Sequence, residues 1–218
     1  MRNTIIIGYS QQKSNLCKAG DNEWVHTKKI AERLSFLLKE DNLVDVKLLP
    51  DASGTTDKER LINSVAFCNS ISSKTDYVIW VHTNATGTNE IGKGAECIYY
   101  PGNEKTKVLG IRILKELGKI LKEREVYSNS SLHAIRGTIA NSLIVEAGFH
   151  DNEDEALWIH NNLTNIAACI RNGIYNALDL KVPNEETEWK NTVKAELKVI
   201  REGLQKLVEH IKTLETTN

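Results

Sequence analysis

The sequence predicts an α/β domain, a mainly parallel twisted sheet with helices on both faces, followed by a C-terminal coiled-coil-like helix. Three observations carry this. Short aliphatic runs at residues 4–8 (TIIIG), 76–81 (DYVIWV) and 142–145 (SLIV) have the unbroken apolar character of strands buried on both faces. Between them lie segments with apolar residues three and four apart, and that alternation implies parallel strands joined by crossover helices. Beyond Pro183 the composition changes to charged residues punctuated by aliphatics at heptad spacing.

Taken in order, residues 4–8 form the first strand, and Asp21 and Asn22 are good N-cap candidates for a helix over 22–40 in which Val25, Ile30, Leu34, Leu37 and Leu38 share a face. Glu23 then sits in the first helical turn. Residues 43–49 (LVDVKLL) alternate as a strand, 57–71 have helical spacing, and 76–81 are the next buried strand. Residues 94–100 (GAECIYY) read as a strand stopped by Pro101 and Gly102, and 104–123 as a helix presenting Val108, Ile111, Leu114, Leu117 and Leu121. A strand at 142–145 follows, and 154–180 hold one or two helices with Ile166, Ile170, Ile174 and Leu178 four apart. The α/β domain therefore spans 1–182. A linker near Pro183 opens a second region, 183–218, where Val193, Leu197, Ile200, Leu204, Leu207, Ile211 and Leu214 mark a heptad helix over 187–215. It is short and interrupted by Gly203, so it needs a partner surface, and homo-oligomerisation or docking is its expected role.

Composition narrows the function. The 218 residues are 40% hydrophobic and 26% charged, which excludes disorder and gives one core with an appendage. Lys and Arg number 28 against 29 Asp and Glu, so no global field draws in nucleic acid or anionic lipid, and neither is expected as a partner. Cys17, Cys68, Cys97 and Cys169 form no C-x-x-C pair and read as ordinary thiols. The N-terminal apolar run is too short for a signal peptide, which predicts synthesis in the cytoplasm.

In open parallel sheets ligands bind beyond the carboxyl ends of the strands. Four places are singled out there: Tyr9 and Ser10 after the first strand, His82 after DYVIWV with Asn84 two residues on, Glu146 at the end of SLIVE, and Glu23 opening the first helix. A carboxylate and an imidazole such as Glu23 and His82 are zinc-ligand types, and a carboxylate closing an apolar strand is suited to general-base work through a raised pKa. Arg60 and the other histidines, His133, His150, His160 and His210, are expected in structural or packing roles. Trp24, beside Glu23, is a candidate glycan contact.

At these residues the sequence resembles the zinc-dependent N-acetylmuramoyl-L-alanine amidases of phage endolysins and sporulation cell-wall hydrolases, over about residues 4–180. The matching blocks are Gly8-Tyr9, where the family has Gly-His, Glu23, Arg60, His82-Thr83-Asn84-Ala85, Gly94-Ala95-Glu96-Cys97-Ile98-Tyr99-Tyr100 and Val145-Glu146-Ala147-Gly148-Phe149-His150-Asp151-Asn152. The resemblance implies a peptidoglycan hydrolase cleaving the amide between N-acetylmuramic acid and L-alanine with zinc-activated water. It implies Glu23 and His82 as metal ligands, Glu146 as general base, Asn84 at the substrate and one zinc ion as cofactor. It also implies bacterial peptidoglycan as partner and action on the wall after release from the cytoplasm.

The chain departs from the family at its first ligand, where Tyr9 stands in place of histidine. A neutral phenol with a pKa of about 10 is a poor zinc ligand. Three explanations stand side by side: a silent homologue that binds wall without cleaving it, a disabled variant of an active enzyme, or a rearranged site in which another residue substitutes. His26, one turn after Glu23, is the nearest substitute.

Overall fold

The computed structural model describes residues 2–87, 92–181 and Arg201. The predicted linker and heptad helix lie outside the described residues, apart from Arg201. Residues Met1–Lys181 form one compact unit.

Six strands and six helices alternate through it: β1 (Thr4–Tyr9), α1 (Glu23–Asp41), β2 (Asp45–Leu48), α2 (Asp57–Ile71), β3 (Tyr77–Asn84), β4 (Ala95–Tyr99), α3 (Glu104–Leu117), β5 (Glu123–Ser128), α4 (His133–Arg136), β6 (Asn141–Phe149), α5 (Glu153–Asn161) and α6 (Leu163–Ala177). They build a single sheet in the order β2-β1-β3-β6-β4-β5. The β2-β1-β3-β6 pairings are parallel, as is β4-β5, and β4 meets β6 antiparallel. On one face α1 lies over β1, β2 and β3, α3 lies over β4, β5 and β6, and α6 packs against both helices. On the other, Val65 and Cys68 of α2 and Ala134 and Ile135 of α4 close over Ile6, Val78, Trp80, Ile98 and Ile144.

Local chemistry fixes the elements that carry the site. Asn22 adopts extended backbone and its side chain accepts from the Val25 amide, so α1 begins at Glu23. Thr56 and Glu59 form a reciprocal capping box that starts α2 at Asp57. The Trp80 ring lies over Gly8, where a Cβ would overlap it, so β1 and the bulky β3 pack together through that glycine. Gly148 takes φ +100 within β6, a conformation that L side chains rarely adopt, and the β3-β6 register shifts between His82 and Asn84.

Some boundaries differ from those the sequence predicts. The strands β3 and β6 run on to Asn84 and Phe149, past the apolar runs, because their pairing continues through His82↔Glu146 and Asn84↔Phe149. Helix α3 stops at Leu117, not 123, and β5 follows as an edge strand of mostly charged or polar residues (EREVYS) with no apolar pattern to announce it. The short α4 was likewise not foreseen, and the 154–180 segment divides at Asn162 into α5 and α6.

Candidate active site

Three ionisable side chains stand in a row across the three central strands. His82 of β3 pairs with Glu146 of β6, and Glu146 pairs in turn with Glu96 of β4. Directly paired residues share a face of the sheet, so an imidazole and two carboxylates sit side by side near the carboxyl end of β3 and β6. The helix α1 adds a third carboxylate from its first residue: Glu23 Oε1 lies 3.0 Å from His82 Nδ1.

The environments of these carboxylates differ sharply. Glu23 is 1% exposed, and its oxygens accept from Asn15 Nδ2 at 2.9 Å and from the Thr83 amide at 3.3 Å. Burial opposes its ionisation, but the His82 bond, the attraction of His82 and the Asn15 donor outweigh it and hold the carboxyl below its usual range. Burial likewise favours neutral His82, yet the bond and attraction to Glu23, with a smaller pull from Glu146, raise its pKa. Glu96 is fully engaged: Oε2 accepts from Arg124 Nε at 2.8 Å, and Oε1 from Asn84 Nδ2 at 2.7 Å and Tyr127 Oη at 3.4 Å.

Glu146 stands apart. Its Oε2 is buried with no hydrogen-bond partner, and the same holds for His82 Nε2. Desolvation pushes the Glu146 pKa up to about 7; His82 pulls it down, while Glu23 and Glu96 add to the rise. Two orphaned polar atoms on paired residues mark a place prepared for something that is neither side chain nor backbone.

Tyr9 is 2% exposed and donates its hydroxyl to Asp51 Oδ1 at 2.6 Å. Asp51 also takes Trp24 Nε1 at 3.2 Å and Lys28 Nζ at 2.7 Å. Burial first, then the hydrogen bond and charge of Asp51, raise the phenol pKa, which opposes a phenolate. Trp24 is thus occupied with Asp51, and its ring carries Lys13 and Lys28 at 4.3 and 4.9 Å. His26 is buried among Cys17, Asp21 and His160, and no contact joins its ring to Glu23 or His82 among the described residues. Arg60 pairs with Asp57 and donates to the Gln11 and Gly54 carbonyls, a structural role as expected.

The donor set can be tested against the zinc ion that the resemblance implies. Two ligand atoms about 2.0–2.2 Å from one tetrahedral zinc lie about 3.3 Å apart. The 3.0 Å between Glu23 Oε1 and His82 Nδ1 fits that span, and carboxylate and imidazole are the right donors. These two positions fit zinc; Tyr9, with its phenol committed to Asp51, does not supply a third ligand.

Sequence reasoning passed over Glu96, Arg124 and Asp51. Glu96 lay inside the Gly-x-Glu-x-x-Tyr-Tyr block, and a buried carboxylate in an apolar strand was the available signal. Asp51 and Arg124 join the site only through the fold, one after β2 and the other on the edge strand β5.

The profile of the N-acetylmuramoyl-L-alanine amidase family, Amidase_3, matches residues 4–176. The chain belongs to this family, and membership supports peptidoglycan amidase activity. No curated protein matches the sequence significantly. Solved structures resemble the fold. The CwlD amidase from Clostridioides difficile, in complex with the GerS lipoprotein, is 21% identical with a TM-score of 0.70, covering 81% of this chain and 98% of its own. The catalytic domain of the CD27L endolysin targeting Clostridia difficile is 23% identical with a TM-score of 0.68, covering 83% and 99%. CwlV from Bacillus (Paenibacillus) polymyxa var. colistinus is 20% identical with a TM-score of 0.66, covering 82% and 99%. No described helix is long and apolar enough to cross a membrane.

Proposed function

We propose that the chain hydrolyses the amide joining the lactyl group of N-acetylmuramic acid to the L-alanine of the stem peptide. Glu146 acts as general base, and Glu23 and His82 hold a zinc ion. The observation that carries this reading is the contrast within the row of side chains: Glu96 is saturated with donors, whereas Glu146 Oε2 is buried, unpartnered and has a pKa of about 7. A carboxylate with that pKa is poised to take and return a proton near neutral pH.

Zinc at Glu23 and His82 would polarise the amide carbonyl and lower the pKa of water. Glu146 removes a proton from the attacking water as the C–O bond forms, and delivers it to the nitrogen as the C–N bond breaks, leaving a lactyl carboxylate and a free L-alanine amine. Asn15 and the Thr83 amide keep Glu23 in place beside His82. One hydrogen of Asn84 Nδ2 goes to Glu96, and the other is free to meet the substrate.

The bond from Tyr9 to Asp51 favours a second reading, an impaired homologue that binds wall without cleaving it. Release of free amino groups from purified peptidoglycan with added zinc, measured for the chain and for Tyr9→His side by side, separates the two. The hydrolase reading expects release by the chain, increased in Tyr9→His by at least the roughly tenfold that even a second-shell change makes to metal affinity or activity. Release by Tyr9→His alone identifies an amidase silenced at one ligand. Release by neither, with both still pelleting with walls, overturns hydrolysis in favour of binding.

With this activity go action on the wall after release from the cytoplasm, as for a bacteriophage lysin, and a heptad helix over 187–215 that multiplies the hydrolase domain by homo-oligomerisation, raising avidity for a polymeric substrate. Equilibrium mass with and without residues 184–218 tests the last.

A further inference from the structure

A second group of metal-ligand types lies in the loop between β1 and α1, sharing no residue with Glu23, His82 or Glu146. Leu16 and Asn22 form an antiparallel bridge, and the Cys17 amide donates to the Asp21 carbonyl at 2.7 Å, so a tight turn through Gly20 presents Cys17 and Asp21 together. One turn into α1, His26 points back at both. Among the described residues, Cys17, Asp21 and His26 form the one set of three such side chains whose ligand atoms all lie within 4.8 Å of one another.

Cys17 and Asp21 both contact the His26 ring, one at each nitrogen. Cys17 Sγ is 3.5 Å from His26 Nδ1. Ligands about 2.3 Å (sulfur) and about 2.0 Å (nitrogen) from a tetrahedral zinc span about 3.5 Å. On the far side of the ring His26 Nε2 meets His160 Nδ1 at 3.2 Å; with the proton on Nε2 donated to His160, the Nδ1 lone pair faces the sulfur. An outer hydrogen bond that fixes the tautomer of a metal-ligating imidazole is the usual companion of such a site. Asp21 Oδ1 lies 2.8 Å from His26 Nε2, on the ring edge that His160 also faces, and its side chain is 27% exposed, so rotation about its own bonds carries a carboxylate oxygen to the Nδ1 edge.

We propose that Cys17, Asp21 and His26 bind a zinc ion that fastens the 10–22 loop to the start of α1, with His160 orienting His26 from outside and the fourth position left to water. The mixed sulfur, nitrogen and oxygen donor set selects zinc over magnesium or calcium. The site stands independently of the hydrolase reading. Its structural effect reaches that site nonetheless, because the Glu23 amide donates to the Asn15 carbonyl of the same loop. Burial keeps the metal-free Cys17 thiol protonated, so binding releases its proton to solvent and the affinity rises with pH.

The test is a titration of the metal-free full chain with cobalt(II) alone, read in the near ultraviolet, followed by zinc. The expected result is a thiolate-to-cobalt charge-transfer band that zinc abolishes, that survives in His82→Ala and that is absent in Cys17→Ser. Asp21→Asn, at a partly exposed position, keeps the fold and weakens zinc binding by about tenfold or more. A chain without the band, or a band that persists in Cys17→Ser, overturns the proposal whatever the other variants do.

Discussion

Glu23 at the start of α1 and Glu146 toward the end of β6 are the same residue type, one fully buried and the other half-buried with Oε2 out of reach of water, beside the same histidine, and their chemistry is opposite. Glu23 has His82, Asn15 and a backbone amide, and stays ionised. Glu146 has no donor on Oε2, and its pKa rises to about 7. Burial alone therefore does not decide what a carboxylate does; the inventory of donors around it does. The first arrangement suits a metal ligand and the second a base.

The largest effect that can break this comparison is expected from His82→Ala. Removing the imidazole leaves Glu23 a buried charge without its counter-ion, which costs about 3–5 kcal/mol. Denaturant unfolding at pH 7 measures it, and a loss under 1 kcal/mol would show that the pair is no ion pair. Glu146→Gln should move stability the other way. Its folded pKa of about 7 lies above the ordinary 4.5, so the native carboxylate costs nothing at low pH and progressively more as pH rises through that interval. The variant should match the parent at pH 4 and exceed it at pH 8 by up to about 3 kcal/mol. Unfolding curves at the two pH values check this.

Arg124→Ala sharpens the contrast. Without the guanidinium, the Glu96 charge stands uncompensated opposite Glu146 and opposes its ionisation. Since the base works ionised, kcat/KM should rise with pH to a plateau above about 7 in the parent, and this acid limb should move to higher pH in the variant. Smallest of all is Tyr9→Phe: if the phenol serves only Asp51, zinc affinity stays within about twofold and stability falls by about 1 kcal/mol, the net value of one hydrogen bond. A large loss of zinc in equilibrium dialysis would make Tyr9 a ligand after all.

The same contrast explains what was legible in the sequence. Runs such as TIIIG and DYVIWV announce buried central strands, and central strands of an α/β sheet deliver their last residues to the site, so His82 and Glu146 could be picked out from position. The helix start was readable to within a residue from the cap candidates Asp21 and Asn22, of which the fold uses Asn22. What escaped depends on contacts between distant segments. No local pattern marks β5, an edge strand of charged residues, or the antiparallel turn of β4, and so neither the Arg124–Glu96 pair nor the alignment of Glu96 with Glu146 could be foreseen. Cys17 read as an isolated thiol because its neighbours gather through a loop with no fixed period. His26, considered as a replacement for the missing ligand, faces that loop instead of the row on β3 and β6.

The most direct measurement is release of L-alanine amino groups from purified peptidoglycan, with zinc, by the chain and by Glu146→Gln. The account predicts release by the parent and a fall of about 10²–10⁴-fold in a variant that remains folded and at least as stable. Equal rates in the two proteins, or no release by the parent and by Tyr9→His alike, would contradict it.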